Sequence, residues 1–566
     1  MHQQKHLAAR TRFYNGYTGV ADIIGDLTMS VRISKLKIHA LPVLITLLGL
    51  LTGIAGCGKE DVSVAFSHGN SRGGQGGDIT ALSITPASAS ISRGSTQAFT
   101  ATATYSDGST GDVTSGITWS ITPGTGRAAI AADGVATGQV AGDVTITATD
   151  TASGVSGTTP LTLTGGSGYW TWLKGTAGAD IFAHYGTKGV PHPTNQPGSV
   201  FRQATGYSQK DKKLYFQGGS GKATDPTNGI TSAMWVLDPA TVTWTWTQGP
   251  SGVSNPIVRG TKGVADPANT PGSRMSNSRA MDPDGNLWLF GGFGGYSDLW
   301  KFNGTAWTWV AGPDTSTFIG DWGTKGVSAP TNNPSRREKH AINSDRDGNI
   351  WLFGGYGIDS TTASLYRLRD LWKFDPTTNE WTWMAGPSTG NAGGVYGTKG
   401  VSAPGNYPGG SEYARMVFDS QNNLWLFGGT GFDSTSAVGS LDDLWKYDTT
   451  TNEWTWMAGS GIANSTANTV EPKGRSMASM TVDAADNIWL YTGAAAASPN
   501  DLWKWNGSTW TKIADLTSNV FGTMGVEDPA NHPWAAYYDA VIWFDEKGSL
   551  YVYGGVNSVD LWKYEP

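Results

Sequence analysis

The 566-residue chain has one cysteine, eight histidines and only 15% charged residues. A single thiol excludes an internal disulfide framework, so every domain must be held by packing. The longest apolar stretch without a charge, Leu41 to Gly56, has 16 residues, short for a membrane-spanning helix. Beyond it there is no convincing helical periodicity, and no Walker-type or dinucleotide fingerprint precedes a helix. The formal net charge is −7, and residues 57–566 carry 33 Lys and Arg against 44 Asp and Glu. A mildly acidic body argues against nucleic acid as a partner, because phosphate binding needs basic patches.

What is abundant is glycine, with 78 residues, and tryptophan, with 26. They recur together. Glycine pairs stand at Gly218-Gly219, Gly291-Gly292, Gly354-Gly355, Gly428-Gly429 and Gly554-Gly555, with Thr492-Gly493 in the fifth cycle. Each is followed by an apolar-Trp segment, Met234-Trp235 in the first cycle and Asp-Leu-Trp in the rest, ending at Trp300, Trp372, Trp445, Trp503 and Trp562. A Trp-Thr-Trp then follows in the first four cycles, and Trp510 is its remnant in the fifth. The sixth cycle lacks this unit, and Trp170-Thr171-Trp172 stands alone ahead of the first. A repeat of this length decides the fold class. Six four-stranded units, the last completed by the N-terminal Trp-Thr-Trp strand, predict a closed ring with no free sheet edge.

In one cycle, strands over 278–281 and 287–290 flank the turn Asp284-Gly285-Asn286, and strands over 299–302 and 307–310 flank Asn303-Gly304. This pattern resembles kelch repeats, and the resemblance covers residues 169–566. It implies a six-bladed β-propeller with most tryptophans packed between blades. Residues 79–165 show period-two segments separated by turns. Through Ile84-Thr85-Pro86, Gly94, Thr118-Trp119-Ser120, the run from Asp133 to Gly138 and Ala141-Gly142, they resemble the bacterial Ig-like domain of group 2. The expected fold is therefore all-β, an Ig-like sandwich followed by the propeller. Its sandwich must pack on Trp119, Phe99 and the β-branched positions.

The N-terminal 56 residues read as an upstream extension and a signal peptide, with the start expected at Met29. Arg32, Lys35 and Lys37 precede the apolar run, which ends Ile54-Ala55-Gly56-Cys57 and resembles the lipobox of bacterial lipoproteins. The resemblance implies cleavage before Cys57 and its lipidation, with the membrane as a partner through that lipid. Gly58 after the cysteine favours outer-membrane sorting, periplasmic or surface-exposed. Residues 57–78 then form a Gly- and Ser-rich tether.

The long connections, from second to third strand and from fourth strand to the next first strand, fall on one face, where binding is expected. Loops at 221–231, 359–363 and 433–438 are candidates there. The same connections carry Gly-Thr-Lys-Gly-Val at 186–190, 260–264, 323–327 and 397–401, with Met524 replacing the lysine at 522–526. Lys188, Lys262, Lys325 and Lys399 are the candidate binding residues for an acidic group, against a purely structural lap. Asp282 to Asn286 and Asp345 to Asn349 hint at calcium loops but suit hairpin turns better. Gly-x-Ser-x-Gly strings around Ser71 and Ser388 lack the following helix of a nucleophile elbow. Galactose oxidase-type copper chemistry needs a cysteine, and residues 169–566 have none.

No catalytic residue, metal site or cofactor is assigned. The expectation is a protein that is not an enzyme, a lipid-anchored envelope protein that binds a glycan or another protein. The competing reading is a carbohydrate-active epimerase or lyase. Its candidates are Arg202, Arg279, Arg337, Arg415, Arg475, Glu338, Glu412 and His340, with convergence of Glu338, Glu412 and His340 as the requirement.

Overall fold

The computed structural model describes residues 77–566, apart from 125, 141, 165–167, 177–180, 225–226, 277, 317, 466–469, 495–499, 517–519, 529, 534–538 and 556–557. Cys57, Ser71 and the tether before residue 77 lie outside the described residues. Every regular element described is a strand.

Residues 79–164 form an antiparallel-rich sandwich of short strands. Alternation is clearest in Ser156–Thr164, where every second side chain is buried. Phe99, Ile146, Ala148, Leu161 and Leu163 form its core, and Trp119 is only half-buried against it.

Among the described residues of 169–566 there are two small three-stranded sheets and six antiparallel sheets with a four-strand core. The second is Ser278–Met281, Leu287–Phe290, Leu299–Phe302 and Trp307–Ala311, paired in that order. The sixth draws on both ends of the chain: Tyr169–Lys174 pairs with Leu561–Glu565, with Trp172 opposite Trp562. The first strands of the six sheets neighbour one another in chain order, and that of the sixth lies beside that of the first. All-β architecture of propeller-like form is thus observed. Fully buried tryptophans fill the gaps between sheets, as where Trp351 meets Phe418 and Tyr447 of the next sheet.

Three side-chain devices repeat. At the first hairpin, Asp282, Asp345, Asp419 and Asp483 accept the amides of the asparagine four residues on and the indole N–H of the tryptophan six on. These carboxylates cap turns, and the hint of calcium loops gives way to that role. The second device explains Asp-Leu-Trp. Asp298 and Asp370 accept the indole N–H two residues on, and each is bridged to an arginine, Arg274 at 2.9 Å and Arg337 at 2.7 Å. Arg475 pairs with Asp501 in the same way. In the fourth and sixth sheets no arginine among the described residues answers Asp443 or Asp560. Burial pushes Asp443 well above the carboxylate range, with Asp442 adding repulsion, and burial pushes Asp560 up to about 6.

The third device revises the reading of the Gly-Thr-Lys-Gly-Val segments. They run along the outer edges of five fourth strands, not over the loop face. Gly189, Gly263, Gly326, Gly400 and Gly525 donate to the carbonyls of Trp246, Trp309, Trp383, Trp456 and Trp172. Nine residues after the leading glycine, Asn195, Asn269, Asn332, Asn406 or Asn531 clamps the lap, donating to the segment's valine carbonyl and to that of a fourth-strand tryptophan. The leading glycines have φ of 55–60°, and a Cβ there would collide with the asparagine Oδ1. Among the described residues, no such lap covers the fourth strand of the fifth sheet, Trp510–Asp515.

Asn406→Ala, which strips two buried carbonyls of their donor, should cost roughly 1–3 kcal/mol in denaturant unfolding; unchanged stability would show that the lap is held otherwise. The raised carboxylates set a pH trend. Unfolded aspartates ionise near pH ~4 while folded Asp443 and Asp560 keep their protons, so this part of the stability is full below that pH and declines as pH rises toward the folded values. Asp443→Asn should therefore raise the melting temperature at pH 7 and change it little at pH 4; a loss at pH 7 would contradict the assignment.

Candidate functional site

Where each first strand begins, the backbone takes a conformation that side chains rarely adopt. Arg202, Ser276, Lys339, Tyr413, Met477 and Asp539 have φ between 54° and 64°. None is glycine, and left-handed residues of this kind are uncommon. They are linked head to tail around the axis. Ser276 donates its amide to Arg202 O (3.0 Å), Lys339 to Ser276 O (2.9 Å), Tyr413 to Lys339 O (2.6 Å), Met477 to Tyr413 O (3.1 Å) and Asp539 to Met477 O (3.3 Å). The last link uses a side chain: Arg202 N donates to Asp539 Oδ2 at 3.0 Å. The ring surrounds the mouth of a central channel whose cavity, about 200 Å³, is lined by the first strands.

The turned backbone sets the ring side chains at this mouth. Lys339 Nζ lies 3.0 Å from Glu412 and 3.4 Å from Glu338, and Glu412 also pairs with Arg367 at 2.7 Å. Burial opposes the Lys339 charge, but Glu412, Tyr413 and Glu338 together outweigh it and hold its pKa above the usual value. The ammonium also sits over the rings of Tyr356 and Tyr413, and the Arg202 guanidinium faces Tyr413 from 5.9 Å. The hydroxyls of Tyr413 and Ser276 lie near each other, neither completing a hydrogen bond of ordinary geometry. Burial pushes the Tyr413 hydroxyl up, so it stays a protonated donor through the neutral range. Beside Glu338 and Tyr356, a second cavity of about 120 Å³ opens against Phe293, Leu365 and Arg336.

The sequence candidates divide clearly. Arg337 and Arg475 are structural, buried against Asp370 and Asp501. Arg202 joins the mouth, and Arg279 and Arg415 line the channel. Glu338 and Glu412 converge on Lys339, but His340 does not join them. It is 1% exposed, edge-on to Phe290, and burial with the Arg337 charge keeps it neutral.

The four lysines do not form one site. Lys188, Lys262, Lys325 and Lys399 each lie 4.3–4.5 Å above the outer tryptophan of a different sheet, Trp246, Trp309, Trp383 and Trp456. Lys262 and Lys399 also donate to the carbonyls of Gly312 and Gly459. Ser388, in a loop, is bonded to Ser360 Oγ at 2.9 Å. The loops at 221–231, 359–363 and 433–438 are built more tightly than expected: the first lies largely within a hairpin, Ser220–Thr224 with Thr227–Ile230, and the others are pinned by Asp359 and Asp433. Lys339 and Tyr413 were missed because ring residues share a conformation and no residue type; their signal was position, one or two residues before each first strand.

A model of bacterial Ig-like domains of group 2 matches residues 78–161. Ice-binding protein 1 of Shewanella frigidimarina (strain NCIMB 400) is 47% identical over 70 residues, 12% of this chain, and the match spans only 8% of that protein's length. Two solved structures align with about two thirds of this chain at a TM-score of 0.36. One, described as the structure of YjhT, is 16% identical, covering 67% of this chain and 95% of its own. The other, a novel fungal alcohol oxidase of the AA5 family with catalytic diversity, in complex with copper, is 14% identical, covering 68% of this chain and 76% of its own. Beside these two structures the expectation that the protein is not an enzyme is withdrawn, and the likeness names no reaction here. Residues 78–161 are a bacterial Ig-like domain of group 2.

Proposed function

We propose that residues 169–566 are a six-bladed kelch propeller that recognises a carbohydrate at its channel mouth, on an envelope protein anchored through Cys57. The observation that carries the reading is the cluster on the ring: Lys339 between two carboxylates, with Arg202, Arg367 and the Tyr413 ring beside it. Sugars are bound by such mixtures of charged hydrogen-bonding groups and aromatic faces, and a rigid ring lowers the ordering cost of the complex. Counting Arg202, Lys339, Arg367, Arg279 and Arg415 against Glu338, Glu412 and Asp539, the mouth is positive within an acidic chain. An acidic sugar is the ligand class that fits. A second reading, turnover of the bound sugar, is favoured by Glu338 and Glu412 meeting on one ammonium, a pair suited to acid and base roles. The Ig-like domain is the spacer between lipid and propeller.

Purified full chain in detergent should retain acidic oligosaccharides in preference to neutral ones. Lys339→Met, folded by its melting temperature, should weaken retention by about tenfold or more, while Lys262→Met on the outer rim should bind as wild type. Equal retention by Lys339→Met, or selective retention of an envelope protein instead, would overturn the reading. Mass analysis of the eluted sugar decides between retention and turnover. Cys57→Ser should move the protein from the membrane fraction to the soluble one; persistence in the membrane would place the anchor elsewhere.

A further inference from the structure

Below the ring, two arginines stand where the repeat does not call for them. Arg415 begins the first strand of the fourth sheet, at the position held by Ser278, Ala341 and Ser479 in the second, third and fifth. Arg279 occupies, in the second sheet, the position of Thr205, Ile342 and Met480. Both line the central cavity. Four of the six sheets have no arginine at either position, so neither is needed to build the channel.

Their charges are incompletely answered. Arg415 donates through Nε to Ala478 O at 2.6 Å and pairs through Nη2 with Asp539 Oδ1 at 3.4 Å. Arg279 donates through Nε to Thr205 O, and its two terminal nitrogens have no partner among the described residues. Asp539 is already committed, its other oxygen accepting from Arg202 N. Burial, then the nearby Arg415 charge, pushes Arg279 down to about 9, with Asp539 only partly opposing. Two guanidiniums and one carboxylate thus reach the axis from alternate sheets, the second, fourth and sixth, and leave one positive charge in a cavity of about 200 Å³. Like charges gathered in a narrow cavity are unfavourable unless an anion joins them.

We propose that Arg279 and Arg415 form a site inside the channel for the single carboxylate of an acidic sugar. The proposal rests on the mouth reading and names the ligand's anionic group. A planar guanidinium fork matches a carboxylate, and one residual positive charge matches a monoanion rather than a phosphate dianion. The sugar ring then lies at the mouth, above its carboxylate, against Lys339 and Tyr413.

The test is calorimetric titration of the full chain with sodium D-glucuronate and with D-glucose at matched ionic strength, alongside melting curves in acetate and in chloride. Glucuronate should bind and glucose should not, and acetate should raise the melting temperature above that in chloride. Arg279→Met should weaken glucuronate about 10- to 100-fold, abolish the acetate effect, and melt in chloride no lower than wild type because a like charge is gone. Where that variant does not fold, Arg279→Lys, which keeps the charge and loses the fork, should still weaken glucuronate at least about tenfold. Equal binding of glucose, full affinity in the folded variants, or a large loss of stability in chloride without anion dependence would overturn the proposal. The two readings separate. An Arg279-dependent acetate effect with no sugar bound leaves the channel site standing and removes the mouth; Lys339-dependent sugar binding indifferent to Arg279 does the reverse.

Discussion

Six amide groups, each turned by a left-handed residue toward the preceding sheet, tie the first strands of residues 169–566 into a ring. The side chains at the channel mouth are placed by that geometry. A residue at φ near 60° is strained by about 1 kcal/mol or more, and it persists because each amide has a partner fixed by the neighbouring sheet. Because the positions are set by backbone bonds, their side chains are free to differ. Arg202, Ser276, Lys339, Tyr413, Met477 and Asp539 are six different residue types on one repeated scaffold. The ring also couples fold to site at one place, since Asp539 both closes it through Arg202 N and neutralises Arg415.

The outer parts of the sheets hold the ring in place by repetition. Buried Arg–Asp pairs lock the strand after each glycine pair to the start of a first strand in the second, third and fifth sheets. Removing one partner of such a pair is costly, about 3–5 kcal/mol in comparable cases, which accounts for the aspartate of Asp-Leu-Trp in those three sheets. Asparagine clamps fasten a lap of chain along five outer edges, and lysines close over the tryptophans there. The sixth outer edge is uncovered among the described residues, at Trp510–Asp515, where the Trp-Thr-Trp unit is itself degraded to Trp510-Thr511-Lys512.

Much of the fold was legible because glycine pairs and tryptophans repeat at fixed offsets, and period and packing follow from such offsets directly. The pairing of Trp172 with Trp562 followed from a unit missing at one end and surplus at the other. The Ig-like segment was legible through its turns. The lysine segments left two readings open, an anion site and a structural lap, and the repeated Asn195, Asn269, Asn332, Asn406 and Asn531 nine residues after each glycine would have shown the clamp that makes the lap. The site was the least legible part. What distinguishes Lys339 from its counterparts is that it differs from them, and a search for repeats is blind to that. Glu338 and Glu412 were visible as candidates, but their common partner Lys339 and the separation of His340 depend on how the ring turns each side chain.

The central claim is that the ring and the channel below it are one recognition site for an acidic sugar. The most direct measurement is a crystal structure of the full chain grown with D-glucuronate. The account predicts the sugar at the mouth, in contact with Lys339 and Tyr413, with its carboxylate between Arg279 and Arg415. A sugar bound on the outer rim beside Lys188 or Lys399, with the channel filled only by water, would contradict it.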